Sequence, residues 1–289
     1  MNFRKLIISS FYIPFRLLNL VLDLFNGKKP RLRILLMHDV PADAYENFQK
    51  KIEYLSLRWN FISTQDLEGH LSGKKLLVGN NLLLSFDDGF YSNRLIAENI
   101  LNPLGVKALF FVVADFVSLN NTEDQVDFIK NNLYPNWRGH DYPENIKSMS
   151  SMDHDDLRYL VSSGHTIGCH TQSHIDLSTV EEESELINEI IESGNELESI
   201  LGSSVDHFSF GFGNVSFFSK KALEIARQRF KFIHTGMRGD NANNVASWAL
   251  RRDAIGLDDS NIQMSSFLEG SADFRYKQDL ELYESWGDI

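Results

Sequence analysis

Two carboxylates stand side by side, Asp87 and Asp88, where the apolar run Leu82-Leu83-Leu84-Ser85-Phe86 stops and Gly89-Phe90 begins. Adjacent acids repel if both are ionised in a dry place, so a buried pair needs a cation or one shared proton. A metal ion would resolve the repulsion; a solvated Asp-Asp-Gly turn is the plainer alternative. The second cluster is Gly164-His165-Thr166-Ile167-Gly168-Cys169-His170-Thr171-Gln172-Ser173-His174. Its two histidines, His170 and His174, are four apart, a spacing that suits one metal from a helical turn or from a strand-to-loop corner. A lone histidine is usually structural, but this pair after an Asp-Asp-Gly strand end argues for metal binding. Cys169, beside His170, raises thiolate ligation or nucleophilic catalysis. Strand alternation points it away from the face His170 occupies and argues against both.

The elements that must position these residues can be read from the same chain. Five strand-type residues without alternation predict that Leu82–Phe86 is a strand covered on both faces, as in a parallel α/β sheet. Ser92 and Asn93 are placed to cap a helix through Leu101 that stops at Gly105. Other predicted strands are 33–37, 60–63, 106–113, 205–210, 230–235 and 247–255, with a further one carrying the His pair. Predicted helices cover 43–58, 64–73, 155–163 and 216–229. Ser178 to Glu181 reads as a capping box opening an acidic helix to Leu201, whose run Glu181, Glu182, Glu183, Glu185 and Glu189 reads as a solvated face. Periodicity fades from Ala114 to about Asp153, apart from a short helix at 126–133, and so long a loop is expected to shape a cleft. Strands alternating with helices describe a parallel α/β barrel or an open doubly wound sheet. Both chemical clusters lie at strand C-terminal ends, where barrel active sites sit.

Ser-Phe-Asp-Asp-Gly-Phe followed by Gly-His-Thr-Ile-Gly-Cys-His-Thr-Gln-Ser-His resembles the first two motifs of the polysaccharide deacetylase family, the NodB-like carbohydrate esterases. The resemblance runs from about Arg31 to near the C-terminus. It implies an irregular (β/α) barrel of about seven strands over residues 31–289, preceded by an N-terminal segment, residues 1–30. It also implies Asp87 as general base, and Asp88, His170 and His174 as ligands of a divalent ion, zinc being the one expected. Three ligands leave positions open for water and a substrate carbonyl. The implied reaction is removal of an N-acetyl or similar acyl group from an amino sugar of a surface polysaccharide or its lipid-linked precursor. Two departures stand out. The third-motif arginine position is Ser209 in Phe208-Ser209-Phe210-Gly211-Phe212-Gly213, where the backbone N–H of Phe212 remains available as oxyanion donor. The late histidine that serves relatives as general acid has only weak matches, His207 and His234. His38, at the end of the first strand, is read as structural or pocket-lining. Trp248-Ala249-Leu250-Arg251-Arg252 resembles a Leu-Pro-Arg segment of relatives, which makes Arg252 the residue facing the site and Arg251 the one facing away. The altered third motif keeps open a catalytically weakened glycan-binding protein, and the ligand types an Fe(II)-dependent enzyme.

Composition bounds the rest. A chain of 289 residues, 43% hydrophobic, suffices for one large α/β domain, and a net charge of −12 argues against a nucleic-acid partner. The single cysteine excludes an intrachain disulfide and fits a cytoplasmic location. Seven Lys/Arg against Asp23 alone give residues 1–33 a charge of +6 and leave −18 for the remainder. Beyond Pro14, polar Arg16, Asn19, Asp23 and Asn26 recur at three and four, so the leucines between them form the apolar face of an amphipathic helix. Peripheral contact with the inner face of the membrane through residues 1–33 is one expectation. A helix docked on the barrel, or on a second copy, is the other.

Overall fold

The structure, a computed structural model, describes residues 10–26, 29–135, 146 and 149–287. An N-terminal helix α1 (Tyr12–Asn26) precedes β1 (Arg31–Met37), and α2 (Tyr45–Ser56) leads to a two-residue β2 (Asn60–Phe61) and α3 (Thr64–Leu71). The strand β3 (Asn80–Phe86) feeds α4 (Tyr91–Ile96), which runs on through a π turn at Ala97–Leu101 into Gly105, whose φ is 69°. After β4 (Ala108–Val112) come α5 (Ala114–Val117), α6 (Thr122–Phe128) and α7 (His154–Ser162). β5 (Thr166–Cys169) is followed by α8, Glu183–Ile187, which continues through a π turn at Asn188–Glu192 into Ser193–Leu201. The remainder is β6 (His207–Ser209), α9 (Lys220–Arg229), β7 (Phe232–His234), β8 (Asp253–Ala254), α10 (Asn261–Leu268) and α11 (Lys277–Ser285).

Seven parallel strands run in the order β7-β6-β5-β4-β3-β1-β8, with β2 paired beside β3. The segment entering β8 bridges back to β7 at His234–Leu250, so the sheet curls round on itself as an irregular (β/α) barrel. Alternation then assigns the two faces of β3. Leu82, Leu84 and Phe86 join the large core beneath the helices, whereas Leu83 joins Leu32, Ile34 and Leu250 inside the barrel. Both faces are apolar, which is why the run shows no period of two. Ser85 and Asp87 share the inward parity of Leu83, and so does His38 with Ile34 on β1.

The long strand expected at 247–255 is only Asp253–Ala254 plus one bridge at Leu250. Asn241 explains the loss: its side chain accepts from Arg251 N–H and donates to Arg251 C=O, both at 2.9 Å, taking the place of a strand partner. A buried cluster fixes what is left of the seam. Arg33 on β1 grips Asp253 through Nε and Nη2, both at 2.7 Å, and Asp273 at 2.8 Å.

Three further expectations are corrected. Ser92 and Asn93 do not cap α4. The Ser92 hydroxyl donates to Asp39 at 2.6 Å and the Asn93 amide to His38 C=O at 3.1 Å, so both tie the start of α4 to the end of β1. No capping box opens α8: Ser178 bonds Asp176 instead, and the helix begins at Glu183. The stretch after Ala114 is mostly helical up to Leu133, with Asn121 capping α6 through Asp124 N–H. Gly139 and Pro143 lie outside the described residues.

Candidate metal centre

At the C-terminal end of β3 the ladder runs one residue further, since Asp87 N–H donates to Met37 C=O at 2.9 Å. The chain then turns through Asp88 (φ 79°) and Gly89 (φ 95°). A side chain at Gly89 would meet Val117 at 3.1 Å and Val112 at 3.3 Å, so both the backbone angle and the space demand glycine. The β5 end turns likewise. His170 N–H continues the ladder to Val112 C=O, after which Thr171 (φ 69°) and His174 (φ 60°) both lie in the left-handed region. Strain of this kind persists only where the surroundings enforce it. Here Thr171 Oγ1 accepts from His174 N–H at 2.9 Å, and the Glu189 carboxylate holds Ser173 through its N–H (3.0 Å) and hydroxyl (2.5 Å).

These turns bring Asp88, His170 and His174 together, with one ligand atom of each within 4.8 Å of the others. Both imidazole Nε2 atoms stand 3.7 Å from Asp88 Oδ1. A tetrahedral centre with bonds of about 2.1 Å would hold its ligand atoms about 3.4 Å apart. The Nδ1 atoms are occupied elsewhere: His170 Nδ1 lies 2.8 Å from Ser209 C=O and His174 Nδ1 lies 3.0 Å from Asn132 C=O. Each carbonyl demands a proton on Nδ1, which leaves the Nε2 lone pairs aimed at the shared point. Electrostatics agree. Burial holds the His174 imidazole neutral, with its pKa lowered to about 3, and lowers His170 as well. Burial, then the neighbouring Asp87, push the Asp88 carboxyl well above the usual range. An ionised Asp88 in this place calls for a cation, and the donor set fits a divalent one.

Asp87 is in the opposite situation. Burial alone would raise its carboxyl, but the Arg252 guanidinium, helped by His170, holds it below the usual value. Arg252 is fully buried and grips both oxygens, Nη1 to Oδ1 at 2.6 Å and Nη2 to Oδ2 at 2.9 Å. The guanidinium is itself fixed by Thr235 C=O (3.0 Å) and the Ser209 hydroxyl (2.6 Å), and it lies 4.8 Å over the Phe111 ring. Arg251 points the other way, to Glu284 at 2.6 Å.

A cleft of about 380 Å³ opens over these groups and is also lined by His38, Tyr134 and Phe212. Phe212 has φ 58°, and its ring packs edge-on against His174 with centroids 4.6 Å apart. Among the described residues nothing accepts from its N–H. His38 lines this cleft with part of its surface exposed, yet burial of its ring lowers its pKa against the pull of Asp87. A larger hollow of about 660 Å³ lies on the same rim, between Asp39, Tyr45, Tyr91 and Met149, but it holds no such cluster. His207 and His234 are buried away from the cleft lining and bonded to one another at 3.0 Å, and His207 reaches Glu68 at 3.1 Å. The structure therefore gives neither the place of a general acid. Cys169 faces Ser193 at 3.1 Å, with burial pushing its thiol up to about 12, so it supplies no thiolate.

Sequence reasoning missed Asn132, which acts on His174 through its backbone C=O and so leaves no signal in the side-chain pattern. Glu189 had one. Leu186, Ile190, Ser193 and Leu197 are all buried at helical spacing, and Glu189 lies on that inward side, not on a solvated face.

The family profile for polysaccharide deacetylase matches residues 77–229, more than half of the chain. No curated protein sequence matches. Among solved structures, IcaB from Ammonifex degensii superposes with a TM-score of 0.62 at 20% identity, over 84% of this chain and 98% of that one. The deacetylase PplD of Streptococcus pyogenes, solved with acetate, gives 0.64 at 17% over 82% and 98%. A de-N-acetylase from Aggregatibacter actinomycetemcomitans gives 0.64 at 18% over 82% and 99%. At these identities the likeness is one of fold.

Proposed function

Because the chain belongs to the polysaccharide deacetylase family, we propose that it hydrolyses an N-acetyl or similar acyl group from an amino sugar of a surface polysaccharide or its lipid-linked precursor. The observation that carries this reading is the arginine-clamped Asp87 beside the Asp88, His170 and His174 cluster, at the floor of an open cleft. Those three residues would hold a divalent ion, zinc by ligand type, which when bound supplies a polarised acyl oxygen and an acidified water. Everything else falls to the chain itself. Asp87 takes the proton of the attacking water as its oxygen bonds to the acyl carbon. Arg252 keeps that carboxylate ionised and correctly turned. The Phe212 N–H meets the charge developing on the acyl oxygen. The proton that Asp87 has taken then passes to the sugar nitrogen as the C–N bond breaks, so acetate and a free amine leave. The neighbouring hollow, with Tyr45 and Tyr91, offers room for the next sugar.

Ser209 stands where relatives carry an arginine, and the Arg252 guanidinium lies on its hydroxyl from another segment. That substitution in space supports a working site over a non-catalytic glycan binder. Acetate release from short N-acetylated amino-sugar oligomers tests the reading. Steady release with zinc is expected; binding of the oligomers without any release would establish the binder instead.

A further inference from the structure

Helix α1 covers the barrel with one side only. Asn19 fastens it to the end of α10, donating to the Glu269 carboxylate at 2.7 Å and to its backbone C=O at 3.1 Å. The outer side is bare: Ile13, Leu17, Leu18 and Val21 are exposed, and Leu24 and Phe25 are each 84% exposed. No helix among the described residues is long and apolar enough to cross a membrane. Directly beside this face lies a hollow of about 280 Å³ lined by Arg16, Lys29, Arg31 and Arg58 against a single acid, Glu269. Glu269 is already engaged by Asn19 and by Arg31 at 2.8 Å. Arg16 and Arg58 both reach the Tyr12 hydroxyl and flank its ring, so two guanidinium groups gather at the base of the helix. The chain neighbours of the hollow add more apolar surface, with Leu57 77%, Leu76 86% and Val78 68% exposed.

We propose that this face is a docking surface for an anionic lipid bilayer, with α1 lying in the interface and the basic hollow receiving a lipid phosphate. The commitment to lipid rests on charge. An apolar stripe bordered by four cations suits an anionic interface, and it stands on a chain whose net charge of −12 such a surface would otherwise repel. A second copy of the chain would bring four more cations against these four. The orientation follows from the strands. The hollow is built at the N-terminal ends of β1 and β3, by Arg31, Gly79 and Asn80, whereas the metal centre is at their C-terminal ends. Seven residues of strand at about 3.3 Å each separate the two by about 20 Å. A docked molecule therefore opens its cleft away from the bilayer, toward sugars extended from the surface and not those joined directly to lipid.

Flotation with phosphatidylcholine vesicles, with and without about one-third phosphatidylglycerol, tests this without any substrate and so stands apart from the deacetylase reading. The full chain should float with anionic vesicles and remain behind with neutral ones. Leu24→Glu with Phe25→Glu, both on exposed positions, should cut the floated fraction at least about tenfold while acetate release from a soluble oligomer stays unchanged. Arg16→Glu with Arg58→Glu should reduce binding to the neutral-vesicle level. Equal flotation of all forms overturns the proposal, as does equal binding to neutral vesicles. A wild type that is dimeric by light scattering, and becomes monomeric in the Leu24/Phe25 variant without flotation, would assign the face to a second copy and also overturn it.

Discussion

Asp87 and Asp88 share a peptide bond yet live in opposite electrostatic settings, and the difference is Arg252. The guanidinium touches both oxygens of Asp87 and is absent from the hydrogen bonds of Asp88, whose carboxyl faces two neutral imidazoles. Removing Arg252 would leave Asp87 buried, charged and unpaired, a change that typically costs about 3–5 kcal/mol. We expect Arg252→Ala to lower turnover about 100-fold or more, since a misaligned base loses that much, while bound metal stays near one equivalent. Arg251→Ala breaks a partly exposed pair with Glu284 and a long hydrogen bond to Asp240 C=O, and should change stability by about 1 kcal/mol with turnover near wild type. Parallel kinetics and metal analysis of the two variants check this. Equal losses in both would remove Arg252 from its assigned place.

The corner after β5 holds two non-glycine residues at positive φ, Thr171 and His174, and the helix that steadies it is interrupted at the same level by a π turn. That turn contains Glu189, whose two bonds to Ser173 keep His170 and His174 in register. Such outer partners commonly account for 10- to 100-fold in metal affinity. Glu189→Ala should therefore weaken zinc binding by about that factor, and Glu189→Gln, which keeps one acceptor, by less. Competition titration against a chromophoric chelator measures it; unchanged affinity in Glu189→Ala would reduce the residue to packing. The same helix marks where sequence reading stops. A run of glutamates reads as solvated because charge is averaged over the run, and only the phase of Leu186, Ile190 and Ser193 shows that one of them turns inward. The shortened β8 was hidden for a related reason: Asn241, ten residues away from Arg251, supplies the hydrogen bonds a strand would have supplied.

At the scale of the whole molecule, the legible part is whatever the backbone period dictates. Apolar runs ending in polar residues located the strand ends and hence the cluster of Asp88, His170 and His174. The resemblance to a Leu-Pro-Arg segment singles out Arg252 as the inward residue, and alternation then turns Arg251 outward, as found. Partners chosen by tertiary folding were not legible: Ser209 under the guanidinium, Asn132 behind His174, and Arg33 pinning Asp253 across the seam. The barrel thus delivers two neighbouring carboxylates to one point in different surroundings, and the proposed function divides the work between them. Acetate release and bound zinc, measured together on Asp87→Asn, test that division most directly. The substitution removes the base and leaves the three ligands, so the expected result is about one equivalent of zinc with turnover reduced at least about 1,000-fold. An active Asp87→Asn, or one that has lost its metal, would contradict the account.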